Sequence, residues 1–183
     1  VHLAAQSLRT GDAELALAAG VNLVLGPTPS MIFERAGVLA ADGRCKFGDA
    51  SADGFVRSDG VVVVVLKPLA AALAAGDRVR AVLHGSAVSN DGRSKSTLTA
   101  PSVTGQRLAM RWAYRAAGVD PAEVDYVEAH GTGTRIDTVE LTALAEVLGG
   151  NRPAGHPCAI GSVKTNIGHT QAAAGLAGLL KAV

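Results

Sequence analysis

The sequence predicts an α/β protein with parallel strand pairs. Strand-like apolar runs alternate with stretches of helical period, the pattern of layered α/β domains. Hydrophobic residues make up 48% and charged residues 18% of the 183, a globular composition. The helical stretches are rich in Ala and Gly, which permits close packing between layers. This length suffices for one ordinary domain with a core.

The elements follow in order. VHLAAQSLRTG carries apolar residues at Val1, Ala4, Ala5 and Leu8, one helical face, with Gly11 as the stop. ELALAA reads as a buried strand, continued by VNLVL. A long connection follows, with a short helix expected around Ser30 to Leu39. GFVRSDGVVVVVLKPL is β-branched and reads as a strand bent at Gly60. LAAALAAGD is a short helix, and RVRAVLHGSAVSND another strand. The loop DGRSKSTLTAPS leads into TGQRLAMRWAYRAAG, a helix with the face Ala109, Trp112, Ala113 and Ala116 and with Gly118 past its end. DPAEV is one helical turn, capped by Asp120 with Pro121 in its first position. DYVEA is a strand. DTVELTALAEVLGG is a helix with the face Leu141, Leu144, Ala145 and Leu148. AIGSVK is a strand, and the last helix follows His169. No linker rich in Pro or Ser divides the chain. Residues 1–90 are expected to finish one half of a single domain and residues 91–183 to begin the other.

Composition excludes several classes. Net charge is +1 and no basic stripe is interleaved with aromatics, which argues against nucleic acid as the main partner. The apolar runs, such as Val61 to Leu66, are too short to span a bilayer, and no signal peptide is expected. Cys45 and Cys158 form neither a disulfide framework nor a CxxC pair, so a reducing cytoplasm is the expected compartment. No cap precedes Val1 and no stop follows Val183, so a fragment of a longer protein is expected.

Two histidines stand out. His130 in YVEAHGTGTRID and His169 in GSVKTNIGHTQAAAG each follow a strand and precede a helix. Ligands of α/β sheets bind beyond the carboxyl ends of strands, so both loops are expected to wall one pocket. Gly131, Gly133 and Gly168 would let a substrate approach the backbone. Thr132 and Thr134 offer hydroxyls, and Lys164 could set the local charge or orient a neighbour. Asp137 and Glu140 look like a capping box, which leaves Glu140 without a catalytic role. A lone histidine after a strand is more often structural, but two in matching contexts favour function. Two neutral imidazoles could donate to the oxygen of a thioester as it becomes an enolate. Metal binding is disfavoured because no third ligand has a clear spacing and HxxxH is absent. HGTGT lacks the phosphate-loop pattern, and a serine hydrolase would want GxSxG, which does not occur.

HGTGT followed by KTNIGHTQAAAG resembles the two histidine motifs of β-ketoacyl synthases, condensing enzymes of the thiolase superfamily. DGRCKFGDASADGFVRSDG and SNDGRSKSTLTAPS resemble connecting segments of the same family, more closely those of modular type I polyketide synthases than of stand-alone fatty-acid enzymes. The resemblance covers nearly the whole chain. It implies a thiolase-like layered αβαβα fold, here incomplete at both ends, and a Cys–His–His site. In such a site an acylated cysteine is attacked by the carbanion left when malonyl or substituted malonyl on an acyl carrier protein loses carbon dioxide. By motif match His130 and His169 would bind the extender thioester oxygen, Lys164 would support the second histidine loop, and Thr132 and Thr134 would line the phosphopantetheine arm. The family implies a homodimer and an adjacent acyltransferase domain. It also implies no cofactor held by the domain itself, the phosphopantetheine belonging to the carrier protein.

Neither cysteine fits the nucleophile. Cys45 lies in a loop where the family often carries a structural cysteine, and Cys158 enters a strand as a small apolar residue. The family's nucleophile begins the helix corresponding to VHLAAQSLRTG, so it is expected upstream of Val1, and this piece alone is expected to be inactive. A domain with that cysteine replaced, decarboxylating without elongating, and a fatty-acid synthase ketosynthase are the alternatives. Two departures stand out. HGTGTRIDTVE lacks the family's glycine before Asp137 and is one residue short, and Phe47 falls one position early.

Overall fold

A computed structural model describes every residue except Ser96, Leu98, Thr99 and Asn151. Part of the SNDGRSKSTLTAPS segment therefore lies outside the described residues.

Helix α1 (His2–Thr10) ends at Gly11, whose left-handed φ of 79° returns its N–H to the Ser7 carbonyl. Strand β1 (Ala16–Asn22) pairs with β2 (Gly60–Leu66), and between them lies α2 (Pro27–Arg35), three residues earlier than expected at its start. This pair is antiparallel, against the sequence expectation. Asn22 faces Gly60, so the connection leaves and re-enters at one end of the sheet and β2 must run back along β1. The strands are not buried on both faces. Leu17, Val21, Val61, Val63 and Val65 are exposed on one side, while the other side meets the Gln171–Ala173 turn and α7 (Ala174–Ala182). Gly20 is required there. A Cβ on it would lie 2.8 Å from the Ala172 carbonyl oxygen.

After α3 (Leu69–Ala74), residues 78–90 form no strand ladder, contrary to expectation. This segment runs beside helices: Gly85 lies against the backbone of Ala113 and Ala117, and the Ser89 hydroxyl donates to the Gly105 carbonyl at 2.9 Å. Helix α4 (Val103–Ala117) is capped by the Ser102 hydroxyl and closed by Gly118 at φ 65°. Its packed face is Met110 and Tyr114, whereas Trp112 is 43% exposed. A 3₁₀ turn, Pro121–Glu123, capped by Asp120, leads to β3 (Tyr126–Glu128).

Strand β3 pairs parallel with β4 (Ala159–Gly161), the crossover being α5 (Asp137–Leu148). Both strands are only partly covered, with Tyr126 and Ile160 exposed. On α5 the buried apolar residues are Ala143, Leu144, Val147 and Leu148, so Ala145 is off the buried face. Ala129, Leu144 and Leu148 form a core cluster with Phe47, Met110, Tyr114, Val124, Val127 and Cys158 packed on it. A one-turn helix, α6 (Lys164–Ile167), lies between β4 and His169, so the second histidine does not leave a strand directly as the first does.

Candidate active site

The two histidine loops meet. The rings of His130 and His169 stand edge to face, with centroids 5.5 Å apart and planes at 81°. Both line a cavity of about 570 Å³ together with Phe55, Thr132, Thr134, Arg135 and Ile136. His130 also borders a second cavity of about 530 Å³, between the loop before α4 and the start of α5.

The first loop is held from beneath by two carboxylates. Glu140 accepts from the backbone N–H of His130 at 2.6 Å and of Gly131 at 2.8 Å, one oxygen each. Asp137, 6% exposed, accepts from the N–H groups of Thr132 at 3.1 Å and Gly133 at 2.9 Å, and from the Thr132 hydroxyl at 3.2 Å. The capping-box reading is thus corrected. Asp137 is already the first residue of α5, no side chain caps that helix, and both carboxylates serve the HGTGT backbone instead. Four N–H groups that would lack partners in the turn are satisfied by charged acceptors, which fixes the loop.

The glycines are packed closely on the side where a Cβ would stand. Gly133 has φ 78°, and a Cβ on it would lie 2.5 Å from the Lys46 nitrogen. Gly131 faces the Phe47 ring and Ser162, and Gly168 faces Ser58. Phe47, early by the family's spacing, therefore still backs the histidine loop. Thr132 is buried and its hydroxyl is shared between Asp137 and the Thr134 hydroxyl, 2.9 Å away. Thr134 is the half-buried member, so its hydroxyl is the more accessible of the two to a ligand.

The second loop fixes a tautomer. His169 donates its backbone N–H to the Val56 carbonyl at 2.7 Å, and its own carbonyl accepts from Ser58 N–H at 3.2 Å. The ring Nδ1 accepts from the backbone N–H of Gln171 at 3.0 Å. A nitrogen that accepts carries no proton, so the neutral ring presents Nε2–H as a donor. Gln171 makes this bond from φ 42°, the one positive φ among the described non-glycine residues. The Phe55 ring meets His169 edge to face at 5.2 Å, and Phe33 meets Phe55 at 5.5 Å.

Desolvation and charge together favour the neutral form of both imidazoles, although His130 as a residue is exposed and His169 only half-buried. Burial, then the nearby Lys164 ammonium and His130, lower His169 to about 4. Burial and Lys164 also lower His130, against the weaker pull of Glu140 and Asp137. Lys164 is 4% exposed. Burial pushes it below the usual lysine range, and Glu128, Glu140, Cys45 and Asp137 oppose that shift. Two neutral N–H donors beside a buried cation can stabilise an oxyanion.

Cys45 is outside this chemistry. It is 6% exposed, its sulfur accepts from Val56 N–H at 3.2 Å, and burial pushes its thiol up. Cys158 packs on the core cluster. Among the described residues no group of three or more His, Cys, Asp or Glu could hold a metal ion, and no helix is long and apolar enough to cross a membrane. The sequence reading missed Gln171 and Phe55. Gln171 has no local signal, because its part depends on a left-handed backbone. Phe55 lies far from both histidines in sequence.

Residues 1–72 match the family model described as β-ketoacyl synthase, N-terminal domain, and residues 80–183 that described as β-ketoacyl synthase, C-terminal domain. The chain is 56% identical to a phenolphthiocerol/phthiocerol polyketide synthase polypeptide of Mycobacterium tuberculosis, over all of this chain and 10% of that protein. It is 46% identical to 6-methylsalicylic acid synthase of Penicillium expansum, again over all of this chain and 10% of the relative. The chain thus spans about a tenth of the length of these relatives. Both alignments run over 184 positions, against 183 residues here. Among solved structures, the ketosynthase from module 6 of the bacillaene synthase of Bacillus subtilis 168 matches with a TM-score of 0.93. That match has 43% identity and covers 99% of this chain and 33% of the other. The ketosynthase domain OzmH KS7 of Streptomyces albus JA3453 matches with the same TM-score at 41% identity, over 99% of this chain and 32% of the other.

Proposed function

The chain belongs to the β-ketoacyl synthase family, and from that premise we propose that it supplies the two-histidine part of a polyketide synthase ketosynthase site that performs decarboxylative condensation. The observation that carries this reading is the pair of neutral imidazoles, 5.5 Å apart, on one pocket wall. In the proposed reaction the bond from the extender's α-carbon to its carboxylate breaks and carbon dioxide leaves. The electron pair passes into the thioester as an enolate, whose oxygen takes hydrogen bonds from His169 Nε2–H and from His130. The α-carbon then attacks the acyl thioester on an enzyme cysteine. A C–C bond forms, the C–S bond breaks, and the cysteine sulfur leaves as a thiolate.

Cys45 and Cys158 do not fit that nucleophile, one being buried with a raised thiol and the other packed on the core. The acylated cysteine is therefore assigned to another part of the full domain, and this piece alone should not condense. Lys164 is read as the charge that keeps both histidines unprotonated. Thr134, with Thr132 bonded behind it, would accept from an amide N–H of the phosphopantetheine arm. The substrates are malonyl or methylmalonyl groups on an acyl carrier protein, with an acyltransferase domain in the same polypeptide, a homodimeric assembly and a cytoplasmic setting. The domain itself holds no cofactor in this reading.

The test uses the intact domain in its full-length synthase. His130→Ala and His169→Ala should each lower malonyl-carrier decarboxylation by about 100-fold or more, as loss of one oxyanion donor does. Unchanged decarboxylation in both would sink the assignment.

A further inference from the structure

Glu128 stands two residues before His130, and the proposed reaction leaves it without a part. Its side chain is 8% exposed. One oxygen accepts from the backbone N–H of Val163, the residue before Lys164, at 2.5 Å. The other accepts from the Tyr126 hydroxyl at 2.5 Å and from the Lys181 ammonium at 2.9 Å. Lys181 belongs to α7, the helix that follows His169. It also donates to the Tyr126 oxygen at 2.8 Å and stands 5.5 Å over that ring. Helix α7 packs directly on the glutamate stem, where a Cβ on Gly178 would lie 3.1 Å from Glu128 Cγ.

The place of this cluster matters. The β3–β4 ladder is three residues long and its last pair is Glu128 with Gly161; one further bond, Ala129 N–H to the Gly161 carbonyl, follows at 2.8 Å. Beyond that point the backbones part, one into the His130 loop and the other through α6 to His169. A nearly buried carboxylate with three donors from three segments is a tether at the fork.

We propose that Glu128 is a positioning residue of the two-histidine site, joining β3, the start of α6 and α7 so that His130, Lys164 and His169 keep one mutual geometry. The proposal rests on the reading that the two histidines act on one carbonyl oxygen. A second consequence follows from charge. Lys164 faces Glu128 from β3, Asp137 and Glu140 from α5, Cys45 from the connecting loop, and the two histidines. Of the groups favouring its ammonium form, Glu128 is foremost.

The experiment compares Glu128→Gln, Lys181→Met and His169→Ala in the intact synthase, by malonyl-carrier decarboxylation across pH. Glutamine keeps an acceptor for Val163 N–H but loses the charge. Glu128→Gln should lower kcat about tenfold with little change in KM, the size expected for a small misplacement of a reacting group. The alkaline limb of its rate profile should move to lower pH, because Lys164, whose charge beside the two donors also favours the oxyanion, then loses its proton earlier. Lys181→Met, which removes only the outer partner, should move kcat in the same direction by a few-fold. A merely structural glutamate would move stability and leave the pH profile in place. Wild-type kcat and pH profile in Glu128→Gln, with His169→Ala inactive, overturns the tether and leaves the histidine reading standing. Full decarboxylation by His169→Ala overturns the histidine reading instead. Should Glu128→Gln fail to fold, Lys181→Met at the wild-type rate overturns the proposal by itself.

Discussion

Replacing Asp137 by alanine removes the acceptor beneath the HGTGT loop. The carboxylate is 6% exposed and receives three hydrogen bonds, two of them from the backbone N–H groups of Thr132 and Gly133. Thr132 and Gly133 are themselves buried, so water is poorly placed to replace the lost acceptor. Each buried donor left unpaired costs about 1–3 kcal/mol, and at about 1.5–2 kcal/mol each the two together cost about 3–4 kcal/mol. That is a large share of the roughly 5–15 kcal/mol that holds a typical domain folded. Asp137→Asn keeps one acceptor oxygen and should cost about 1–2 kcal/mol. Urea unfolding of the intact domain, followed by circular dichroism, reads the difference. With a slope of about 2 kcal/mol per molar, alanine should lower the midpoint by roughly 1.5–2 M and asparagine by under about 1 M. A midpoint within about 0.3 M of wild type for the alanine variant would refute the reasoning, as would equal losses for both variants.

Three further outcomes are expected. His169 is held near 4 in the folded chain, below the ordinary histidine value of 6.5, so between those values the unfolded chain binds more protons. Stability on this account is complete above pH about 6.5 and falls as pH drops toward 4, which urea midpoints measured across that range would show. Lys164→Met should raise the NMR titration midpoints of both His130 and His169, since the ammonium lowers each; unmoved midpoints would remove Lys164 from the electrostatic account. Gly133→Ala places a Cβ 2.5 Å from a backbone nitrogen at φ 78° and should cost about 2–4 kcal/mol, read as a lowered Tm. An unchanged Tm would show that the loop has room the geometry denies.

Local chemistry made much of the molecule legible in the sequence. Gly11 and Gly118 end their helices because a left-handed residue without a Cβ closes the last turn, and that signal lies within a few residues of the helix it ends. Asp120 before Pro121 announces its turn in the same way. The histidine loops were legible as motifs, and the parallel β3–β4 pair followed from the helix between its strands.

Other features depend on which distant segments meet. A carboxylate three residues from another looks like a capping box until the loop folds back over it, and then Asp137 and Glu140 bind His130 to Gly133 instead. Strand direction in β1–β2 depends on where a long connection returns. The segment 78–90 carries strand residues but lies beside α4, and β-propensity without a ladder partner makes no strand. The sequence by itself therefore determined the family, the glycine-closed ends of α1 and α4 and the two histidine motifs, because those rest on short-range pattern. Only the tertiary structure decided the tautomer of His169, the depressed pKa of both imidazoles and the fork held by Glu128. The tautomer rests on the left-handed turn at Gln171, two residues on, and the other two on desolvation and on partners far away along the chain.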